Sequence, residues 1–259
     1  MNFGISTSCF YPAYLELAVE DLARHGVQNI EIFVNTYSEM RPAYLRTLKQ
    51  ELDANKIRVV SVHPFTSGQE PFLFFSDYYR RFLDGIEQYK AYCDFMNALG
   101  AKILVFHGNR KESTFPDEQY YERFGILRDA LKREGAVLAQ ENVAPFKSRS
   151  LDFLKGMQSY LHGDVDFVLD IKQTVRADQD VFAMIDALGE NIVHLHVSDN
   201  KEGFDCLPIG VGTFDFARFF EKMQEKNFQG SAMLELYRSN YNEYEELYQS
   251  LEKLKQYRW

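Results

Sequence analysis

Eight times along the chain a short apolar, β-branched run gives way to a longer amphipathic segment. That alternation limits the fold more than any other feature of the sequence. The runs are Phe3–Ser6, Asn29–Phe33, Arg58–His63, Ile103–His107, Val137–Glu141, Asp166–Asp170, Ile192–His196 and Ala232–Glu235. Helical periodicity occupies Ala13–His25, Pro42–Asn55, Asp77–Leu99, Asp117–Arg133, Leu151–Tyr160, Gln179–Leu188, Asp215–Lys226 and Tyr241–Tyr257. Gly26, Gly100 and Gly135 stand where helical runs stop. Strands alternating with helices imply parallel βαβ units, and eight units closing on themselves make a (β/α)8 TIM barrel. An open doubly wound sheet usually has a glycine-rich first turn, and Ser6-Thr7-Ser8-Cys9 is unlike one. The 259 residues match the roughly 250 that such a barrel needs. No linker or composition break divides them, so the expectation is an α/β fold with one TIM-barrel domain over residues 1–259.

The strand ends carry the chemistry. From the second strand on, the residues at the C-terminal edges are Glu31, His63, His107, Glu141, Asp170, His196 and Glu235. With 38 Asp plus Glu and 6 His in the chain, seven such ends arise by chance in about one barrel in a hundred, and less because strands are depleted in acids. Side chains alternate along a strand. Ile30, Ile32, Val62, Leu169, Leu195 and Leu234 therefore point to the helices and the polar ends to the barrel axis. Ser61, Ala139 and Ser231 fall deeper on the same inward face, and His194 falls one layer below His196 as a hydrogen-bonded support. Ionisable groups converging on one mouth are costly without a cation or a bound polar partner. Glu141, Asp170, His196 and Glu235 come from four consecutive strands and can surround one divalent metal ion. Three carboxylates and one imidazole suit Mn, Mg or Co, with Zn allowed.

The net charge of −9 argues against a general nucleic-acid binder. Cys9, Cys93 and Cys206 are scattered and form no CxxC pair, which favours a reducing, cytoplasmic setting over a disulfide framework. No apolar stretch reaches the roughly 18 residues of a membrane helix, and Met1-Asn2-Phe3-Gly4-Ile5 has no basic leader. No membrane or nucleic-acid partner is expected. Phe65, Phe72, Phe74 and Phe75 leave three roles open: a cap on the site, core packing, or a homo-oligomer contact.

On Ile30-Glu31-Ile32, His107-Gly108, Glu141-Asn142, Leu169-Asp170, His194-Leu195-His196-Val197-Ser198-Asp199, Pro208-Ile209-Gly210-Val211-Gly212 and Glu235-Leu236, the chain resembles the xylose-isomerase-like TIM barrels. These are sugar and sugar-phosphate isomerases and epimerases, with endonuclease IV as a relative. The resemblance implies that Glu141, Asp170, His196 and Glu235 hold the metal and that Glu141 and Glu235 double as the acid/base pair. It implies a sugar or sugar phosphate as substrate and an enediolate formed by loss of an α-proton. Glu31, His63, His107, Lys172, Gln173 and Arg238 are the candidate substrate contacts. Lys172 and Arg238, two and three residues past strand-end acids, are the cations best placed for an anionic group.

Endonuclease IV relatives use three metal ions. His63, His107 and Glu141 match the ligands of the first, and the four-residue set matches the second. The third needs histidines where this chain has Gln173 and Leu207, which counts against phosphodiester cleavage. Val211 stands where relatives often carry Glu, and the Gly210-Val211-Gly212 turn reads as a tight turn more than as a phosphate cradle. A metal-dependent phosphodiesterase, a related dehydratase and a binding protein without turnover are the alternatives on the same scaffold.

Overall fold

The computed structural model describes residues 1–257. Residues 258 and 259, inside the expected 1–259 domain, lie outside that range. The chain runs β1 (Asn2–Ser6), α1 (Leu15–Arg24), β2 (Asn29–Phe33), α2 (Pro42–Ala54), β3 (Arg58–His63), α3 (Glu70–Phe74), α4 (Tyr79–Leu99) and β4 (Ile103–Phe106). It continues through α5 (Asp117–Arg133), β5 (Val137–Glu141), α6 (Leu151–Tyr160), β6 (Asp166–Asp170), α7 (Ile171–Arg176), α8 (Val181–Leu188) and β7 (Ile192–Val197). A hairpin of β8 (Asp199–Lys201) and β9 (Phe204–Leu207), then α9 (Phe216–Glu225), β10 (Ser231–Leu234) and α10 (Glu245–Lys255), completes it. The eight parallel strands close in the order β1-β10-β7-β6-β5-β4-β3-β2, a single (β/α)8 barrel as the alternation predicts.

Local chemistry sets the boundaries. Ser150, Asp180 and Asp215 each accept a backbone N–H at the start of α6, α8 and α9. Pro42 opens α2, where its missing N–H costs nothing. Gly100 ends α4 at φ +76°, a left-handed turn that favours glycine. Ile30, Ile32, Val62, Leu169, Leu195 and Leu234 are buried in the core between strands and helices. Inside the barrel a separate small cluster of Val105, Ala139 and Val168 fills the floor.

The two long βα intervals contain structure that the periodicity does not predict. Residues 65–74 make a 3-10 turn and α3, and residues 199–207 make the β8–β9 hairpin. Aromatic residues go mainly to packing. Phe74 meets Phe82, Tyr89 and Phe106 edge-on, and Phe75 stacks on Tyr120 with centroids 4.2 Å apart. Phe65 is half-buried against the same core, whereas Phe72 is exposed beneath the Arg81 guanidinium. Among the described residues no helix is long and apolar enough to cross a membrane.

Candidate active site

The site is built in two tiers. The lower tier centres on Glu31, which pairs in register with Ser6 on β1 and Ser61 on β3. Its Oε1 accepts from Ser6 Oγ at 3.1 Å and its Oε2 from Ser61 Oγ at 2.8 Å. The same Oε2 lies 3.2 Å from His194 Nε2 and 3.0 Å from His196 Nε2. Glu31, expected at the mouth, therefore stands beneath it with both oxygens engaged. Burial pushes its carboxyl up, but the two imidazoles outweigh this and hold it well below the usual range. Burial keeps His194 low and neutral, and Ser61 Oγ lies 3.0 Å from its Nε2.

The upper tier is the carboxylate ring. With Nε2 turned down to Glu31, His196 directs Nδ1 upward, 3.4 Å from Glu141 Oε1, 3.8 Å from Asp170 Oδ2 and 3.4 Å from Glu235 Oε2. Burial lowers the His196 pKa, but Glu31 and Glu235 raise it well above the ordinary histidine value. One potential ligand atom from each of Glu141, Asp170, His196 and Glu235 lies within 4.8 Å of the others. Asp170 pairs with His196 across β6 and β7, and this register places those two side by side. Glu141 Oε2 is buried without a hydrogen bond, although His107 Nε2 is 2.9 Å away. An orphaned carboxylate oxygen beside a ring of hard donors fits a divalent cation.

Lys172 sits inside this ring. Its side chain turns back from the first turn of α7, and Nζ lies 2.5 Å from Asp170 Oδ2 and 2.6 Å from Glu235 Oε2. The residue is only 2% exposed, its ammonium turned to the two carboxylates. Burial pushes the Asp170 carboxyl up, Lys172 lowers it and the neighbouring Glu141 and Glu235 raise it again, to about 7. Glu235 is raised by burial but held low by Lys172 and His196. Glu141 is raised by burial and brought well below the usual range by His107.

A second group adjoins the ring. His63 Nε2 is 2.9 Å from His107 Nε2 and 3.8 Å from Glu141 Oε2, so Glu141 belongs to both groups. Phe33 stacks on the His63 ring, with centroids 4.7 Å apart. Glu70, on α3, accepts the backbone N–H groups of His107 and Gly108 and the Tyr89 hydroxyl, and so fixes the loop that carries His107.

The remaining candidates divide. Gln173 is buried beside the ring, but its Oε1 accepts from the Ala144 N–H at 3.1 Å and its own N–H caps Asp170 Oδ1. Arg238 is exposed and bonded to its own loop, donating to the Tyr241 and Asn242 carbonyls. The Gly210-Val211-Gly212 turn wraps a carboxylate of this chain: Asp199 accepts the N–H groups of Asn200, Gly210, Gly212 and Phe214. A Cβ on Gly212 would lie 2.3 Å from Asn200 O, so only glycine lets the backbone come this close.

Sequence reasoning passed over three supports. Asn142 clamps β5 to β6 by donating to the Asp170 carbonyl and accepting its N–H. Ser8 Oγ donates to Glu235 Oε1 at 3.4 Å. Glu70 lay in an interval without helical periodicity. Asn142 alone had a signal, its place beside a strand-end acid.

Residues 19–257 match the family model described as a xylose isomerase-like TIM barrel. An inosose dehydratase of Mesomycoplasma hyopneumoniae is 23% identical over 253 residues, covering 84% of this chain and 79% of that protein. An L-ribulose-5-phosphate 3-epimerase of Escherichia coli is 26% identical over 162 residues, 59% of this chain and 56% of that one. The crystal structure of a D-tagatose 3-epimerase-like protein superposes with a TM-score of 0.80 at 20% identity, covering 99% of this chain and 97% of that one. With residues 19–257 matched, the chain belongs to the xylose isomerase-like TIM barrel family.

Proposed function

We propose that this protein is a divalent-metal-dependent isomerase or epimerase of a sugar or sugar phosphate. One observation carries the reading: Glu141 and Glu235, from the two ends of the β5-β6-β7-β10 arc, face one small space around His196 Nδ1. Glu141, Asp170, His196 and Glu235 would hold the cation. A divalent cation there, one of Mn, Mg, Co or Zn, supplies Lewis-acid stabilisation of the charge that develops on a carbonyl oxygen.

The chain's own groups do the proton work. Glu141 and Glu235 both rest ionised, held low by His107 and by Lys172 respectively, so either can take an α-proton as the opening base. Isomerisation follows when the same carboxylate returns the proton to the neighbouring carbon while the α-hydroxyl proton passes to the former carbonyl oxygen. Delivery from the opposing carboxylate is epimerisation, and that group must first draw its proton from water. His63 and His107 border Glu141 and would hydrogen-bond to substrate hydroxyls. Burial pushes the His107 imidazole below the ordinary histidine value, against the pull of Glu141. Its three buried, unpaired cysteines suit a cytoplasmic enzyme.

A second reading is supported by the coverage of the inosose dehydratase, larger than that of the epimerase. The same base would take the α-proton and a β-hydroxyl would leave as water. Phosphodiester cleavage finds less support, because Gln173 is tied to Ala144 and the other third-ion position is Leu207. The test is solvent deuterium incorporation across a panel of ketoses, ketose phosphates and inososes. Label at an α-carbon without loss of water supports the first reading, and a new enone absorbance favours the second. A metal-loaded protein that exchanges no proton on any of them overturns both.

A further inference from the structure

From the position of Lys172 we infer that this chain carries its own competitor for the cation: an ammonium tethered to α7 that must leave two carboxylate oxygens before a divalent ion can take them. The inference rests on the proposed cation site and goes beyond it.

Three observations carry it. Lys172 Nζ contacts Asp170 Oδ2 at 2.5 Å and Glu235 Oε2 at 2.6 Å. Those are the two oxygens that face His196 Nδ1, at 3.8 and 3.4 Å, so they are the oxygens an ion in the ring would use. The partner oxygens have other donors in reach: Asp170 Oδ1 accepts the Gln173 N–H, and Glu235 Oε1 lies 3.4 Å from Ser8 Oγ. While the lysine stays, every oxygen of the two carboxylates already faces a donor.

Burial completes the argument. At 2% exposure Lys172 has no water to share its charge with, and a buried cation persists only when paired. A way out exists: Nζ already lies 5.5 Å from the centroid of the Tyr237 ring, which is 42% exposed at the mouth. An ammonium moved onto that ring face keeps a cation–π partner. The lysine pairs with Asp170 and Glu235, which leaves Glu141 Oε1 and His196 Nδ1, 3.4 Å apart, as the other half of the ring. An arriving ion therefore meets half a ring, and its affinity is reduced by the free energy needed to turn the lysine out.

The experiment is direct ion binding to the full-length protein, stripped with chelator and dialysed against Mn²⁺, with bound manganese measured by elemental analysis and free Mn²⁺ by paramagnetic resonance. Wild type, Lys172→Met and Lys172→Arg are compared. Methionine keeps much of the length and removes the charge, and its Kd for Mn²⁺ is expected to fall by about tenfold or more. The arginine variant keeps the charge and should bind no more tightly than wild type. Because methionine leaves two buried carboxylates unpaired, thermal melting provides a second reading. Lys172→Met should melt below wild type without ion and gain more than wild type when Mn²⁺ is added. Equal affinities and equal thermal gains for wild type and Lys172→Met would overturn the competitor and leave the cation site standing. An absence of stoichiometric manganese in all three proteins overturns both.

Discussion

Glu31 Oε2 stands 3.0 Å below His196 Nε2, so the imidazole that faces three carboxylates is fixed from beneath by a fourth. A carboxylate behind a candidate metal-ligating histidine sets its orientation and its basicity. Replacing it with an amide keeps the volume and removes the charge. Glu31→Gln should weaken Mn²⁺ binding about 10–100-fold, measured by equilibrium dialysis, with the helical circular dichroism unchanged. An affinity within twofold of wild type would show that the lower tier does not tune the upper one.

Glu141→Gln and Glu235→Gln test the proton-transfer assignment. Each keeps its shape and loses its base. Solvent deuterium exchange into a processed ketose should fall by about 10²–10⁴-fold in the variant that loses the opening base. For isomerisation by one carboxylate, only one variant should lose the exchange that fully. For epimerisation, both should lose turnover, and the variant that keeps the opening base should still wash label into substrate. A variant with full exchange and turnover removes that residue from the mechanism.

Much of this site was legible because barrels and strands have simple periods. Alternation along each strand separates Glu141 from Gln140 and His196 from Leu195, and parallel closure brings the polar ends together. Height was not legible. The sequence carries no record of strand stagger, and the register pairs Glu31 with Ser61, two residues below His63. Glu31 therefore lies a layer lower than its strand-end position suggests. Lys172 was legible as a charge near the site, but only the turn from β6 into α7 points it back at Asp170. Arg238 follows its acid at a similar spacing, yet its loop folds on Tyr241 and Tyr244 and claims the guanidinium. Glu70 needed the tertiary fold, since its acceptors' partners lie more than 35 residues away at His107 and Gly108.

Asp199 organises the loop after β7 through four backbone N–H groups. Removing such an acceptor leaves four part-buried donors unmet. Asp199→Ala should cost about 2–4 kcal/mol in urea unfolding. Gly212→Ala should also destabilise, because the methyl would meet Asn200 O at 2.3 Å and Asp199 Oδ1 at 2.4 Å. If both variants unfold at the wild-type midpoint, the turn is not held by this carboxylate.

Burial raises all three thiols, with Cys206 pushed up to about 11 and Cys93 to about 12. The nucleophile is the thiolate. At pH 8 the folded protein should react with no equivalent of a thiol-specific reagent over an hour, and with three after denaturation. A rapid native equivalent would mean that one of them is open to solvent.

Asp166 offers a pH test away from the candidate ligands. It opens β6 at the foot of the barrel, where burial and then Asp164 raise its carboxyl above the ordinary carboxylate value, against Lys132 and Arg128. A carboxyl raised on folding binds more protons in the native than in the unfolded state. Its contribution to stability therefore falls as pH rises from the unfolded value through the folded one, and stays unfavourable above that. Asp166→Asn removes the penalty. The variant should melt on the order of 1 °C higher at pH 7, and the gain should shrink as pH falls and vanish near the unfolded value, where both forms are protonated. Melting curves of the two proteins from pH 4 to pH 8 measure it. A gain that persists unchanged at pH 4 would come from packing, and a loss at pH 7 would mean that Lys132 and Arg128 outweigh burial.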